Sequence, residues 1–169
     1  MGCMGEYGLT EYYNNCFNKG VKYQDWIIDQ LRKTNPCLII IPYNSINYQY
    51  SNGESATGIE IKFDEQIQKY GNLYIETHEK TNQNISEYHE SGIFRKDNTY
   101  LWLIGDYNEA FLFGKNHLQR IFKATNMWKK LGVVKRETPT SKGFTLPKEN
   151  AKNGICIKHF IFKNEKMEW

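Results

Sequence analysis

Alternating hydrophobic and polar residues recur along the chain and predict a set of short β-strands. The clearest alternation covers residues 58–64, where Ile59, Ile61 and Phe63 are separated by charged residues. Because successive side chains of a strand point to opposite faces, the apolar residues share one face and the charged residues share the other. The same reasoning predicts further strands at residues 37–42, 43–52, 72–80, 99–104, 110–113, 133–137 and 155–162. The first of these is an apolar run, so we expect it to be buried on both faces.

Apolar residues at helical spacing are concentrated between Tyr23 and Leu31, and Pro36 marks the end of this helix. Shorter helices are predicted at residues 10–18, where Gly20 ends the helix, at 116–123, where Asn116 is the cap, and at 147–153. One helix followed by several strands and then by mixed elements predicts an α/β fold, or alternatively an α+β fold, with helices flanking a sheet.

Length and composition are those of one globular domain over residues 1–169, with residues 1–20 as an N-terminal extension. The longest apolar run, at residues 37–41, is far shorter than the roughly 20 residues of a membrane-spanning helix, so we expect no membrane partner. No basic segment followed by an apolar one opens the chain, which argues against a secretory signal. The four scattered cysteines form no Cys-x-x-Cys pair and predict reduced thiols in a cytoplasmic protein.

Charge is distributed unevenly along the chain, although the net charge is only +3. Residues 1–114 hold 9 basic and 15 acidic side chains, whereas the basic segment, residues 115–148, holds 9 basic side chains and a single acidic one, Glu137. An acidic part followed by a basic segment suits a polyanion held over bound cations. We therefore expect a nucleic acid partner, with DNA as the first candidate. The alternative is a solvated basic helix face. The sequence is also compatible with an oligomer.

Glu60 and Lys62 belong to the only Asp/Glu-x-Lys triple in the sequence. Two residues apart on a strand, they project from the same face and lie about 7 Å apart. A carboxylate can hold a hard cation such as Mg²⁺ through oxygen, the cation lowers the pKa of its water, and a nearby ammonium orients that water or stabilises the developing charge. The pair therefore predicts hydrolysis of a phosphodiester, with Glu60 and Lys62 as catalytic residues. A solvated strand face is the alternative.

Two more acids are candidates for the same face. If residues 55–57 form a three-residue hairpin loop, Glu54 pairs opposite Gly58 and shares the face of Glu60, whereas a two- or four-residue loop places it on the opposite face. Glu76, on the following strand, supplies another carboxylate. The predicted metal ligands are therefore Glu54, Glu60 and Glu76. Because like charges raise one another's pKa, such a cluster is costly without a cation.

Several of these runs together resemble phage- and prophage-type proteins of the PD-(D/E)XK nuclease superfamily. The runs are residues 53–54, 58–64, 71–76, 91–93 and 138–144, and the similarity covers roughly residues 22–146. The resemblance implies a restriction-endonuclease-like fold with a mixed central sheet flanked by helices. It also implies phosphodiester hydrolysis dependent on Mg²⁺ or Mn²⁺, with Glu60 as a metal ligand and Lys62 as the catalytic lysine.

The chain departs from the superfamily pattern at the first acid. The pattern has an aspartate upstream, and no aspartate lies between Asp29 and Asp64 here. Glu54 would have to take its place, or else Asp25 or Asp29 of the preceding helix would have to reach the site. A catalytically inactive module of the same fold that binds nucleic acid or protein is therefore the alternative function.

Backbone phosphates are the expected contacts of the basic side chains outside the strand at 58–64. Residues 138–142 combine hydroxyl groups with a lysine, and we predict a loop there. The predicted nucleic-acid-binding residues are Arg95, Lys96, Arg120, Lys123, Lys135, Arg136 and Lys142.

Overall fold

The computed structural model describes residues 5–43, 48–49 and 52–162. The chain divides between Ile39 and Ile40 into two compact units, which are taken in turn. Among the helices of the described residues, none combines the length and the apolar character that a membrane span requires.

The first unit contains a single long helix, α1 (Gly5–Thr34). The prediction of two helices, with Gly20 ending the first, is wrong because one glycine inside a helix costs only about 1 kcal/mol. The predicted apolar stripe is confirmed, since Tyr23, Ile27 and Leu31 are buried.

The strand predicted at residues 37–42 is wrong. Of these residues only Pro42 takes part in β-pairing, as a single bridge to Ser55. Ile39 and Ile41 are 65% and 53% exposed, so the run is not buried on both faces. An apolar composition becomes a strand only where another strand can pair with it. The strand predicted at residues 43–52 is not observed where the structure describes this segment, because Tyr48, Gln49 and Asn52 are helical. Residues 44–47 and 50–51 lie outside the described residues.

Besides the helical residues Tyr48, Gln49 and Asn52, the described part of the second unit contains eight strands and four short helices. The strands are β1 (Ile59–Phe63), β2 (Asn72–Glu79), β3 (His89–Glu90), β4 (Leu101–Gly105), β5 (Glu109–Gly114), β6 (Val134–Glu137), β7 (Ser141–Pro147) and β8 (Lys158–Ile161). The helices are α2 (Ile67–Tyr70), α3 (Lys115–Lys123), α4 (Trp128–Leu131) and α5 (Lys148–Asn150), and single turns of 3₁₀ or π type lie at Gly92–Phe94, Thr125–Met127 and Ala151–Ile155.

The strands form two sheets of four strands each, so the fold is α+β. The first sheet has the order β1-β4-β5-β8, with β1 parallel to β4 and the other neighbours antiparallel. The second has the order β3-β2-β7-β6 and is antiparallel throughout. The expectation of one central sheet is therefore wrong. Its cause is β7, which begins in the predicted loop at residues 138–142 and gives β2 a partner outside the first sheet.

One hydrophobic core is common to both sheets. Trp102 and Phe111 from the first sheet and Ile75 and Phe144 from the second belong to the same buried cluster. Helix α3 adds Leu118 and Ile121 to it. This helix begins at Lys115 after Gly114, and no side chain caps it, so the predicted Asn116 cap is wrong.

Candidate functional site

Glu60 and Lys62 lie on β1, and their side chains form an ion pair. Oε1 of Glu60 is 2.8 Å from Nζ of Lys62. The Glu60 side chain is fully buried, whereas that of Lys62 is 35% exposed. Neither carboxylate oxygen of Glu60 has a well-directed hydrogen bond, so the group is held by ion pairs alone. Glu60 and Lys62 therefore share a face, as strand alternation predicts, but the Glu60 carboxylate lies in the protein interior.

Glu54 joins this pair from a turn. Its Oε1 lies 2.6 Å from Nζ of Lys62, and its Oε2 accepts a hydrogen bond of 3.1 Å from the backbone N–H of Ile61. The same lysine thus contacts two carboxylates. An ammonium held between two acids shows that these oxygens can share one cation.

The three-residue hairpin loop considered for residues 55–57 does not form. Ser55 pairs with Pro42 instead, and its hydroxyl hydrogen-bonds both the N–H and the carbonyl of Ile59. The turn therefore runs beside the free edge of β1 and fills the place of a neighbouring strand. Glu54 reaches Lys62 from this edge, so its position does not depend on a hairpin register.

Three further charged side chains extend the cluster. Arg95 lies 3.3 Å from Oε2 of Glu60 and 2.7 Å from Oδ2 of Asp97, and Lys115 lies 2.7 Å from Oδ1 of Asp97. The side chains of Asp97 and Lys115 are almost fully buried. The ion row, as we call these six residues, alternates in sign along its length and balances. Its members in order are Glu54, Lys62, Glu60, Arg95, Asp97 and Lys115.

Asp97 and Lys115 were not expected at the site. For Lys115 the sequence does hold a signal, because it precedes Leu118 and Ile121 by three and six residues and so falls on the buried stripe of α3. A lysine on such a stripe requires a buried acceptor, which the carbonyl of Arg95 and the carboxylate of Asp97 provide. Nothing in the pattern around Asp97 singles it out.

Glu76 lies next to the ion row without belonging to it. It is on β2, where Oε1 accepts a hydrogen bond of 2.8 Å from the hydroxyl of Ser91. A β-bulge at Thr77 follows it. With Lys62, Trp102 and Tyr74 it lines a cavity of about 220 Å³. Glu76 and Asp64 are thus the acids that line this cavity.

Burial and neighbouring charges shift the pKa values of these groups in opposite directions. Burial raises the pKa of Glu60 and of Glu76, although Lys62 opposes the shift in both. For Lys62, burial acts to lower the pKa, but Glu54 and Glu60 outweigh it and the pKa is raised. The Lys62 amine is therefore protonated at neutral pH, and it acts as a cation and a hydrogen-bond donor.

The donor set fits Mg²⁺ better than a metal that needs a full cage of protein ligands. Within the described residues, no three side chains of His, Cys, Asp or Glu are grouped closely enough to hold a metal ion. Mg²⁺ is commonly bound by one or two carboxylates, with waters and substrate phosphates completing its shell. Glu54 and Glu60 supply two carboxylates that already share a cation, and the oxygens of Glu60 are paired with the cationic side chains Lys62 and Arg95.

The predicted phosphate-binding residues are dispersed rather than joined to this cluster. Arg95 forms ion pairs with Glu60 and Asp97 in the ion row. Lys142 lies over the Tyr88 ring at 3.9 Å and pairs with Glu137. Five of the predicted residues remain exposed on the surface: Lys96, Arg120, Lys123, Lys135 and Arg136.

Compared with protein-family models, with curated proteins and with solved structures, the chain matches none of them. The geometry of the described residues therefore carries the functional argument.

Replacing Asp97 by asparagine should lower the free energy of unfolding by about 3 kcal/mol at pH 7, because Arg95 and Lys115 would lose a buried counter-charge. Burial acts to raise the pKa of Asp97, but hydrogen bonds from Lys115 and Arg95 outweigh it and lower the pKa. A depressed pKa adds stability above the unfolded value, about 3.9, and that stability is lost as the pH falls through the folded value. Urea unfolding of wild type and Asp97→Asn should show a constant difference from pH 7 to 5 that shrinks below about pH 4. A difference that does not depend on pH would contradict the assignment.

Proposed function

We propose that the protein hydrolyses phosphodiester bonds of nucleic acid with Mg²⁺ or Mn²⁺. The observation that carries the proposal is the convergence of Glu54 and Glu60 on one cation, the Lys62 ammonium, at 2.6 and 2.8 Å. Glu76 borders the adjoining cavity. Acids that share a cation beside an open cavity are what a cation-dependent reaction on an anionic substrate requires.

In this proposal Glu54 and Glu60 hold the divalent cation, and Glu76 lines the cavity through which the substrate enters. When bound, the cation stabilises the charge on the phosphate under attack. The substrate reaches the cluster through the cavity, because Lys62 is partly exposed there while Glu60 is not.

Lys62 provides a fixed positive charge in this proposal. Glu54 and Glu60 raise its pKa, so we assign its ammonium the role of orienting the attacking water or stabilising the charge that develops on phosphate oxygens. Contact with two carboxylates holds the side chain in position for that task. Trp102 lies beneath it, with the ring centroid 5.6 Å from Nζ.

The proposal is tested through the acid at the edge of the cluster. Glu54→Gln should abolish the rise in melting temperature that Mn²⁺ or Mg²⁺ gives the wild type, and it should lower cleavage of labelled DNA and RNA by about 100-fold or more. Glu87→Gln removes a carboxylate from the exposed loop before β3 and is the matched control. Wild-type protein that shows neither a metal-induced shift nor cleavage would overturn the proposal.

A second function is favoured by the charge balance of the ion row. The six charges of the ion row neutralise one another in pairs. A network of ion pairs that only stabilises the fold would have the same balance. A module that binds nucleic acid without cutting it would keep that network. Such a protein would bind oligonucleotides with a steep salt dependence and show no cleavage in Mg²⁺ or Mn²⁺.

A further inference from the structure

The cavity beside Lys62 adjoins a second and larger one. The second cavity has a volume of about 300 Å³. Asp64 and Tyr74 line both cavities, so the two lie side by side, and we call them together the groove. Lys62 and Glu76 lie at one end of this groove, which we call the site end. Arg136 and Tyr70 lie at the other, the distal end.

The distal end combines a positive charge, an open aromatic ring and amide groups. Arg136 is exposed on β6, and the ring of Tyr70 is 60% exposed with the Lys69 ammonium 4.9 Å from its centroid. The side chains of Gln66 and Asn72 line the same cavity. An arginine matches a phosphate, a tyrosine ring can stack on a base, and amides can hydrogen-bond a base edge.

Asp64 lies between the two ends, and both of its carboxylate oxygens are engaged by the protein. Its Oδ1 accepts a hydrogen bond from the backbone N–H of Gln66, and its Oδ2 accepts one from that of Tyr74. Burial raises the pKa of this carboxyl. Asp64 therefore forms the middle of the groove, and the groups that bind a nucleotide lie at its ends.

We propose that this groove binds single-stranded nucleic acid, with the nucleotide next to the cleaved bond held at the distal end. In that arrangement Arg136 contacts a phosphate and Tyr70 stacks on the base. The inference rests on the proposed function, because it takes the site end as the place of cleavage.

The shape of the distal end selects a single strand over a duplex. A cavity of about 300 Å³ holds one small group, and it is at the lower limit of ligand sites. In a duplex the bases are stacked and paired, so a base can enter such a cavity only after it has left the stack. In a single strand the bases are already free to turn outward and stack on an aromatic side chain.

The test measures binding and cleavage separately with the full chain. In EDTA, fluorescence anisotropy should show a labelled ten-nucleotide single strand binding about tenfold or more tighter than the matching duplex. Tyr70→Ala should raise the Kd for the single strand about tenfold and Arg136→Ala about fivefold. With Mg²⁺ or Mn²⁺, both variants should cut the single strand more slowly than the wild type at substrate concentrations below the Kd.

Matched variants distinguish the groove from the rest of the surface. Tyr100 is 61% exposed, as Tyr70 is, but it lies beside Gly58 at the opposite end of β1, so Tyr100→Ala should leave the Kd unchanged. Arg120→Ala removes the same charge as Arg136→Ala from helix α3 and should weaken binding less. If the duplex binds as tightly as the single strand, or if Tyr70→Ala behaves as Tyr100→Ala does, the groove inference is overturned while cleavage by the wild type still supports the proposed function. Binding that follows the expected pattern without any cleavage overturns hydrolysis and leaves the groove as a binding site.

Discussion

Replacing Lys62 by methionine should reduce metal-dependent cleavage by about 1,000-fold and should also lower the free energy of unfolding by about 3 kcal/mol. Cleavage falls because methionine offers neither charge nor hydrogen bond to the phosphate or the attacking water. Stability falls because Glu60, which is fully buried, loses the cation at 2.8 Å, and Glu54 loses the one at 2.6 Å. Methionine keeps most of the unbranched apolar stem of lysine and lacks only the terminal ammonium, so the change mainly removes the charge.

A double variant separates the two effects of this substitution. In Lys62→Met with Glu60→Gln the buried carboxylate is removed together with its counter-charge, so much of the lost stability should return, since replacing a whole buried ion pair by uncharged groups is often neutral. Cleavage should stay absent. Urea unfolding and an oligonucleotide cleavage assay at fixed Mn²⁺ measure both quantities. Cleavage by the single variant at the wild-type rate would remove Lys62 from the reaction.

Gly92→Ala should cost about 3 kcal/mol of stability, because two penalties add at that residue. Gly92 has φ +50°, a conformation that alanine adopts only with strain. A Cβ there would also lie 2.3 Å from the carbonyl oxygen and 2.7 Å from the carbonyl carbon of Glu76, which are backbone atoms of β2 and cannot rotate away. The neighbouring Ser91 hydroxyl binds the Glu76 carboxylate, so cleavage should fall as well.

Gly71→Ala is the matched control for Gly92→Ala. Gly71 has a similar φ of +65°, but a Cβ at that position would have nothing within 4 Å. It should therefore report the backbone strain alone, about 1 kcal/mol. The difference between the two variants in urea unfolding measures the contact with β2. Equal losses would mean that the turn at Gly92 can move away from β2 at no cost.

Strand alternation predicted the pairing of Glu60 with Lys62 better than it predicted the architecture around that pair. The pairing of Glu60 with Lys62 follows from a period of two along one strand, which is a local property. The partners of that strand are not local. The position of β7 in the second sheet depends on pairing between Ile75 and Phe144, which are far apart in the sequence. Its first residues, Ser141 to Gly143, read as a turn because their hydroxyl groups and glycine are common in turns.

The position of Glu54 was foreseen for a reason that does not hold. The hairpin that would have placed it beside Lys62 does not form, because Ser55 pairs with Pro42. A long flexible side chain beside a strand edge can reach the same point from other backbone paths. The opposite holds for Arg95, which we expected to contact phosphates at the surface. Its side chain is largely buried, because it pairs with the buried acids Glu60 and Asp97. Burial of charge depends on the assembled structure and leaves little trace in local patterns.

The turn before β1 also covers part of the free edge of the first sheet. β1 is an edge strand, and unpaired N–H and carbonyl groups on such an edge invite a strand from another molecule. Here the Ser55 hydroxyl occupies both backbone groups of Ile59, and the Glu54 carboxylate occupies the N–H of Ile61. The acid that we assign to the cation thus also protects this edge from intermolecular β-pairing. Its replacement would expose part of a template for aggregation in addition to impairing the site.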